Sequence, residues 1–338
     1  MGRRLRWGVL GAANIALVKV IPGIQGSSNG VVVALASRNE ERGRAAAARL
    51  GIDRIHGSYE ALLHDPEVDA IYNPLPNSLH AEWTIRAAEA GKAILCEKPL
   101  ALDAAEAQRV VDACTQHGVP LMEAFMYRHH PQNVRVRELV AQGAIGRVNE
   151  VRANLCFDML NPPDPTNVRL RPDLGGGARL DMGCYSVNAT RMAFGEEPLR
   201  ALAWHDVDER FGVDVAMTGV LEYPDRRVAT VSCSFKAGYQ GWYTILGSEG
   251  FIEVPRAIIP GWDQLAADTI VAIYDRNTHR REERFAPVDH YQLMAEAFSA
   301  SVLAGEPVPY PPDDAIRNMR VLDALGRSAA QDTAVAVK

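Results

Sequence analysis

The chain is predicted to be an α/β protein. Its first domain is built on a parallel sheet, and its second is an α+β domain with a large open, mainly antiparallel sheet. Three observations predict this. Short apolar runs alternate with helical segments up to about residue 126, the rhythm of βαβ units and a parallel sheet. Beyond about residue 147 the period shortens to two and short turns follow one another, the pattern of an antiparallel sheet. At 338 residues the chain is also too long for one ordinary core. We divide it into domains at 1–126 and 127–338, with the final helix expected to pack back on the first domain.

In the first domain the strands are read at Leu5–Leu10, Val31–Ala36, Ala70–Tyr72, Ala93–Cys96 and Leu121–Ala124. Helices fit between them at Ile15–Gln25, Glu40–Leu50, Leu79–Ala90 and Ala104–Gln116. Gly91 and Gly118 stand where helix C-terminal caps belong. In the second domain, period-two stretches run over Val148–Phe157, Ala201–Glu209, Val213–Tyr223, Val228–Phe235, Tyr243–Leu246 and Thr269–Tyr274. Helices close the chain at His290–Leu303 and Asp313–Ala330. The loop from Asn161 to Asp173 holds four prolines and is expected to border a substrate pocket.

Composition narrows the class. A net charge of −6 argues against a nucleic-acid partner, which selects a basic face. The five cysteines are scattered, odd in number and without C-x-x-C spacing, so reduced thiols and a cytoplasmic location are expected. No apolar run approaches the length of a membrane span, and no histidine spacing suits a metal. The basic start runs straight into the first strand and is read as part of the fold, not a cleaved signal.

Three segments carry chemistry. The first is the turn after the opening strand. Gly11-x-Ala13-x-x-Ala16 occupies the place of the G-x-G-x-x-G/A fingerprint of a dinucleotide-binding (Rossmann) unit, with Gly11 making the tight turn. Ala13 departs from the pattern, because the second glycine lets backbone approach phosphate closely. At the end of the next strand, where an NAD site usually has an acid, stand Ser37 and Arg38. A guanidinium fork and a hydroxyl suit a 2′-phosphate, so NADP is expected ahead of NAD. Asn39 doubles as the cap of the helix that follows.

The second segment is Glu97-Lys98-Pro99, at the carboxyl end of a strand, where open α/β sheets bind ligands. A lysine there can hold a hydroxyl or lower the pKa of a neighbouring acid. Alone, the pair also fits a solvated surface loop. The third is Gly175-Gly-Gly-Ala-Arg-Leu-Asp181-Met-Gly-Cys-Tyr185. A helix starting near Leu180 would set Asp181 and Tyr185 on one face. A carboxylate and a phenol there can orient a hydroxyl and move its proton. An ordinary amphipathic helix with Tyr185 half buried is the plain alternative.

Together these motifs resemble the Gfo/Idh/MocA family of nicotinamide-dependent oxidoreductases over nearly the whole chain. The resemblance takes in the first βα turn, Asn73-Pro-Leu-Pro-Asn-Ser-Leu-His80, Glu97-Lys98-Pro99, Glu123 to Arg128, Asp181-x-x-x-Tyr185 and the helix around Tyr291. Many members have histidine where this chain has Tyr185. Tyrosine is similar to the branch with glucose–fructose oxidoreductase, dimeric dihydrodiol dehydrogenase and NADP-dependent xylose dehydrogenases. The resemblance implies Lys98 and Tyr185 as catalytic residues with Asp181 assisting. It implies cofactor contacts from Gly11, Ala12, Ala13, Asn14, Ile15, Ser37, Arg38, Leu75, Asn77, His80, Glu97 and Lys98. Substrate contacts are expected from Lys98, Arg128, Asp181 and Tyr185. The implied substrate is a carbohydrate oxidised with NADP, as by an aldopyranose 1-dehydrogenase. Dihydrodiol oxidation, keto-sugar reduction and a non-catalytic NADP sensor are the alternatives. The implied assembly is a homodimer or homotetramer.

Overall fold

A computed structural model describes residues 2–260 and 268–338. The chain forms two compact units, residues 1–129 with 289–316, and residues 130–288 with 317–338.

The first unit holds a six-stranded parallel sheet: β1 (Leu5–Leu10), β2 (Gly30–Ala36), β3 (Arg54–His56), β4 (Ala70–Asn73), β5 (Ala93–Cys96) and β6 (Leu121–Glu123), in the order β3-β2-β1-β4-β5-β6. The order reverses between β1 and β4, which makes the crevice beyond their carboxyl ends the ligand-binding switch point of such sheets. β4 and β5 are buried throughout, as strands covered on both faces must be. The chain turns helical at Asn14, passes through a π turn at Ala16–Val20, and continues as α1 (Ile21–Gly26). Then come α2 (Glu40–Leu50), α3 (Tyr59–Leu63), α4 (Asn77–Glu89) and α5 (Ala104–Gln116). The caps are local chemistry: the Asn39 and Asp103 side chains accept from Arg42 N and Glu106 N.

In the second unit, α6 (Pro131–Ala141) leads into β7 (Val148–Cys156), and α7 (Cys184–Phe194) precedes β8 (Arg200–Asp208). β9 (Val213–Glu222), β10 (Val228–Ser234), β11 (Gln240–Gly247), β12 (Gly250–Val254), β13 (Thr269–Asp275) and β14 (Arg280–Phe285) follow. With β15 (Val335–Ala336) these strands form a nine-stranded sheet in which only β7 and β10 pair parallel. α7 packs on β7, β10 and β11, and α6 on β13 and β14. The opposite face of the sheet carries half-exposed and exposed side chains in register, among them half-exposed Leu202, Val220 and Thr244 and exposed Thr230.

The last two helices are α8 (His290–Ala304) and α9 (Asp313–Gln331). Residues 289–316 belong to the first unit, although the sequence reading assigned them to the second domain. The physical reason is local. A Cβ on Gly23 would stand 2.9 Å from Gln292 N, so its absence lets α8 lie directly on α1. Phe298 then packs on Trp7, with ring centroids 5.2 Å apart. Most of α9 stays in the second unit, where the missing side chain of Gly219 leaves room for Leu325.

Candidate functional site

In the first unit the expected residues gather at the switch point. Gly11 has φ +80°, and a Cβ there would lie 3.1 Å from the Leu75 side chain and 3.3 Å from the Tyr59 hydroxyl. Glycine is therefore required by both conformation and space. Ala12 is buried, Ala13 and Ile15 are half-buried and Asn14 is exposed at the helix start. Those first helical N–H groups point where a phosphate is held in this kind of turn. This cradle, which a side chain on Gly11 would crowd, fits a dinucleotide.

At the end of β2, Ser37 is buried and its hydroxyl donates to Asn39 O at 2.7 Å. Arg38 is exposed, with its guanidinium 5.6 Å from the centre of the Tyr59 ring. Among the described residues no carboxylate pairs with it. Arg42, which sequence reasoning passed over, donates to Ala12 O at 2.8 Å and so links α2 to the first turn. An arginine one helical turn beyond Arg38 was the available signal.

Beyond β4, buried Asn73 donates to His80 O and Thr84 Oγ1 and accepts from Leu75 N, which fixes the turn leading to Asn77. His80 was expected to touch the cofactor, and its surroundings correct that expectation. It is fully enclosed, and its Nδ1 and Nε2 each lie 2.7 Å from a carbonyl oxygen, of Pro99 and Leu75. Two such oxygens suit an imidazolium. Burial is the stronger influence and pulls the pKa down to about 4, so at neutral pH the ring makes one donated bond. His80 joins the turn after β4 to the turn after β5.

Lys98 follows β5 and is half-buried, and its bond to Pro99 is cis. Beneath it, the Tyr72 hydroxyl donates to Glu97 Oε1 at 2.7 Å, and Glu97 Oε2 accepts from Lys98 N at 3.3 Å. Burial, with Glu97 beside it, pushes the Tyr72 phenol well up, in keeping with its donated bond to Glu97. Arg128 was expected at the substrate. It is instead buried, ion-paired to Asp314 and held between the Phe125 and Tyr310 rings at 5.3 and 4.5 Å. These contacts make it a structural pin.

In the second unit, Asp181 lies in a π turn over Arg179–Gly183 that runs into α7, and Tyr185 lies in the first turn of α7. Such π turns recur at functional sites because they widen the helix locally. Tyr185 and Asp181 are 5% and 9% exposed. Arg169 Nε donates to Asp181 Oδ2 at 2.7 Å, a pairing the sequence reading missed.

The glycine run before the helix serves packing against its own chain. A Cβ on Gly176 would lie 2.6 Å from Arg169 O, and one on Gly177 would lie 2.4 Å from Asp214 Oδ1. Asp214 accepts from Arg179 N at 2.6 Å and so anchors the start of the helix. Cys184 is a buried thiol, as expected of a small hydrophobe. Among the described residues no group of three or more potential metal ligands comes together. No described helix is long and apolar enough to cross a membrane.

Comparison with known proteins agrees with this architecture. Residues 5–125 match the model of the oxidoreductase family with NAD-binding Rossmann fold, and residues 133–253 match the GFO/IDH/MocA C-terminal domain. The chain is 40% identical over 331 residues to D-xylose 1-dehydrogenase (NADP(+)) 2 of Haloferax volcanii, covering 98% of this chain and 99% of that one. It is 34% identical over 256 residues to trans-1,2-dihydrobenzene-1,2-diol dehydrogenase of Xenopus tropicalis, covering 74% and 75% of the two chains. A 3-ketoreductase from Actinomadura kijaniata, solved with NADP and TDP-benzene, superposes with a TM-score of 0.88 at 31% identity, covering 96% of this chain and 98% of that one. Both domain matches and the end-to-end relatives make this chain a member of the GFO/IDH/MocA family of nicotinamide-dependent oxidoreductases.

Proposed function

We propose that the chain is an NADP-dependent dehydrogenase of a sugar hydroxyl, acting as an aldopyranose 1-dehydrogenase. The observation that carries the reading is the presence of Lys98, Asp181 and Tyr185 in a chain 40% identical, end to end, to a D-xylose 1-dehydrogenase (NADP(+)). Support for NADP over NAD comes from Arg38, which among the described residues has no carboxylate partner and stands where an NAD site has an acid. Ser37 and Arg42 complete the proposed 2′-phosphate set.

Bound NADP⁺ supplies the hydride acceptor. In this reading Tyr185 takes the proton of the reacting hydroxyl. A free phenol, with a pKa of about 10, is a weak base at neutral pH. In the proposed mechanism Lys98 would supply a positive charge that favours phenolate, and its ammonium would donate to the reacting oxygen. Asp181 accepts from a substrate hydroxyl and orients the ring. Glu97 and Tyr72 hold the segment that carries Lys98. Reduction of a keto-sugar would run the same proton the other way.

The test is nicotinamide absorbance during incubation with NADP⁺ or NAD⁺ and a panel of aldoses including D-xylose and D-glucose. Turnover with NADP⁺ and an aldopyranose supports the reading. Turnover only with a trans-dihydrodiol, or only of NADPH with a keto-sugar, replaces the substrate. NADP binding without any turnover makes the chain a sensor.

We further propose self-association of the chain through the open face of the nine-stranded sheet, where Trp204 is 53% exposed and Trp242 lies in the same cross-strand row. The buried free thiols of all five cysteines fit a reducing, cytoplasmic location.

A further inference from the structure

Arg169 lies in the proline-rich loop between β7 and the site helix, twelve residues before Asp181. Its backbone is fixed on both sides. Its N–H donates to Asn167 Oδ1 at 3.1 Å, and its carbonyl accepts from Gly177 N at 2.9 Å. Gly176, which has no Cβ, sits against that same carbonyl, and Leu170 beside it is buried as an anchor. The guanidinium is thus placed by the fold rather than left to a mobile loop.

Its side chain is 39% exposed while that of Asp181 is 12% exposed, so the cation is the more open member of the pair. The guanidinium also lies 5.9 Å from the centre of the Phe157 ring, which is itself half-buried, so an apolar surface adjoins the pair. A carboxylate only accepts hydrogen bonds and a guanidinium only donates them. Side by side they set opposite directions on two neighbouring hydroxyls, one donating to Asp181 and the next accepting from Arg169. The aromatic face suits the C–H side of the same ring.

We propose that Arg169 and Asp181 form a clamp for a vicinal diol, making Arg169 a specificity-determining residue and the proline-rich loop part of the substrate site. The inference rests on the dehydrogenase reading and narrows it to substrates with two adjacent hydroxyls, one of them beside the reacting carbon.

The experiment is a cycle between protein and substrate. kcat/KM is measured for the wild type, Arg169→Ala and Arg169→Lys with D-xylose and its 2-, 3- and 4-deoxy analogues. In the wild type, one deletion next to the reacting carbon lowers kcat/KM by about 10- to 100-fold, the range for a charge-assisted hydrogen bond. Arg169→Ala shows a loss of the same order with D-xylose, chiefly in KM, and no further penalty for that analogue. Lysine keeps the charge without the fork and recovers only part of the loss. NADP affinity stays at the wild-type value and the alanine variant remains folded by circular dichroism at the assay temperature, although its thermal midpoint falls because Asp181 loses its partner; this separates the result from misfolding.

Penalties that simply multiply, or wild-type kcat/KM in Arg169→Ala, would overturn the clamp. If the wild type turns over no aldopyranose, the dehydrogenase reading fails instead. The clamp is then read by binding to NADP-loaded protein. trans-Cyclohexane-1,2-diol must bind at least tenfold tighter than cyclohexanol and lose that margin in Arg169→Ala. Equal binding of the two would reject it.

Discussion

Replacing Arg38 by alanine isolates the 2′-phosphate assignment. The guanidinium is exposed, rests over Tyr59 and has no carboxylate partner among the described residues, so no ion pair has to break when a phosphate arrives. A hydrogen bond to a charged group contributes about 1.5–3 kcal/mol. At 1.4 kcal/mol per decade, that is a loss of about 10- to 150-fold in NADP affinity. Solvent exposure of Arg38 places the expected value toward the lower end. NAD lacks the phosphate, so its affinity should stay within about twofold, because no bond to Arg38 is lost. Arg42→Ala should behave differently. Its contact with Ala12 O braces the first turn, so its loss should weaken both nucleotides as well as tilt the ratio. Titration of each variant with both nucleotides, followed by calorimetry, reads all four constants. An unchanged NADP:NAD ratio in Arg38→Ala would refute the assignment.

Other expectations concern stability and assembly. Burial holds His80 and His130 down to about 4, so the unfolded chain takes up these protons first as pH falls. Stability from these groups is therefore complete above pH 6.5 and is lost as pH falls toward 4. For His80 the loss is on the order of 3 kcal/mol. Urea unfolding at pH 7 and at pH 4.5 should show it, and His80→Gln should flatten the slope; an identical slope in that variant would exclude His80 as its source. Trp204→Glu should shift the chain to a smaller species in light scattering, since it puts a charge on the exposed sheet face. An unchanged mass would move the interface elsewhere.

Much of the first unit was legible because its strands are buried on both faces and its helices carry polar caps. β1, β5, α2 and α5 begin and end where the apolar runs and caps put them. β3 was not legible. It has three residues, Arg54, Ile55 and His56, none of them fully buried, at the sheet edge. β14 reads Arg-Arg-Glu-Glu-Arg-Phe, a charged edge strand that shows no alternation, and pairs only with β13. β12 hides behind the glycine turn that introduces it, and the amphipathic pattern of α6 is weak.

The site divides in the same way. Gly11, Arg38, Lys98 and the Asp181–Tyr185 spacing announce themselves as local motifs. The Arg169–Asp181 and Arg128–Asp314 pairs join residues distant in sequence, so only the fold reveals that Asp181 has a cation and that Arg128 is already committed. The glycine run marks a place of close approach, and what it approaches, Arg169 and Asp214 of the same chain, is visible only in the fold.

The most direct test of the central claim is turnover by Lys98→Met and Tyr185→Phe, measured as NADPH formation with the aldopyranose that the wild type oxidises. The proposed roles predict that each variant keeps NADP affinity within about twofold while kcat falls at least 10²-fold, the low end for loss of a positioned acid–base group. Near-wild-type turnover in either variant would contradict the proton path assigned to that pair.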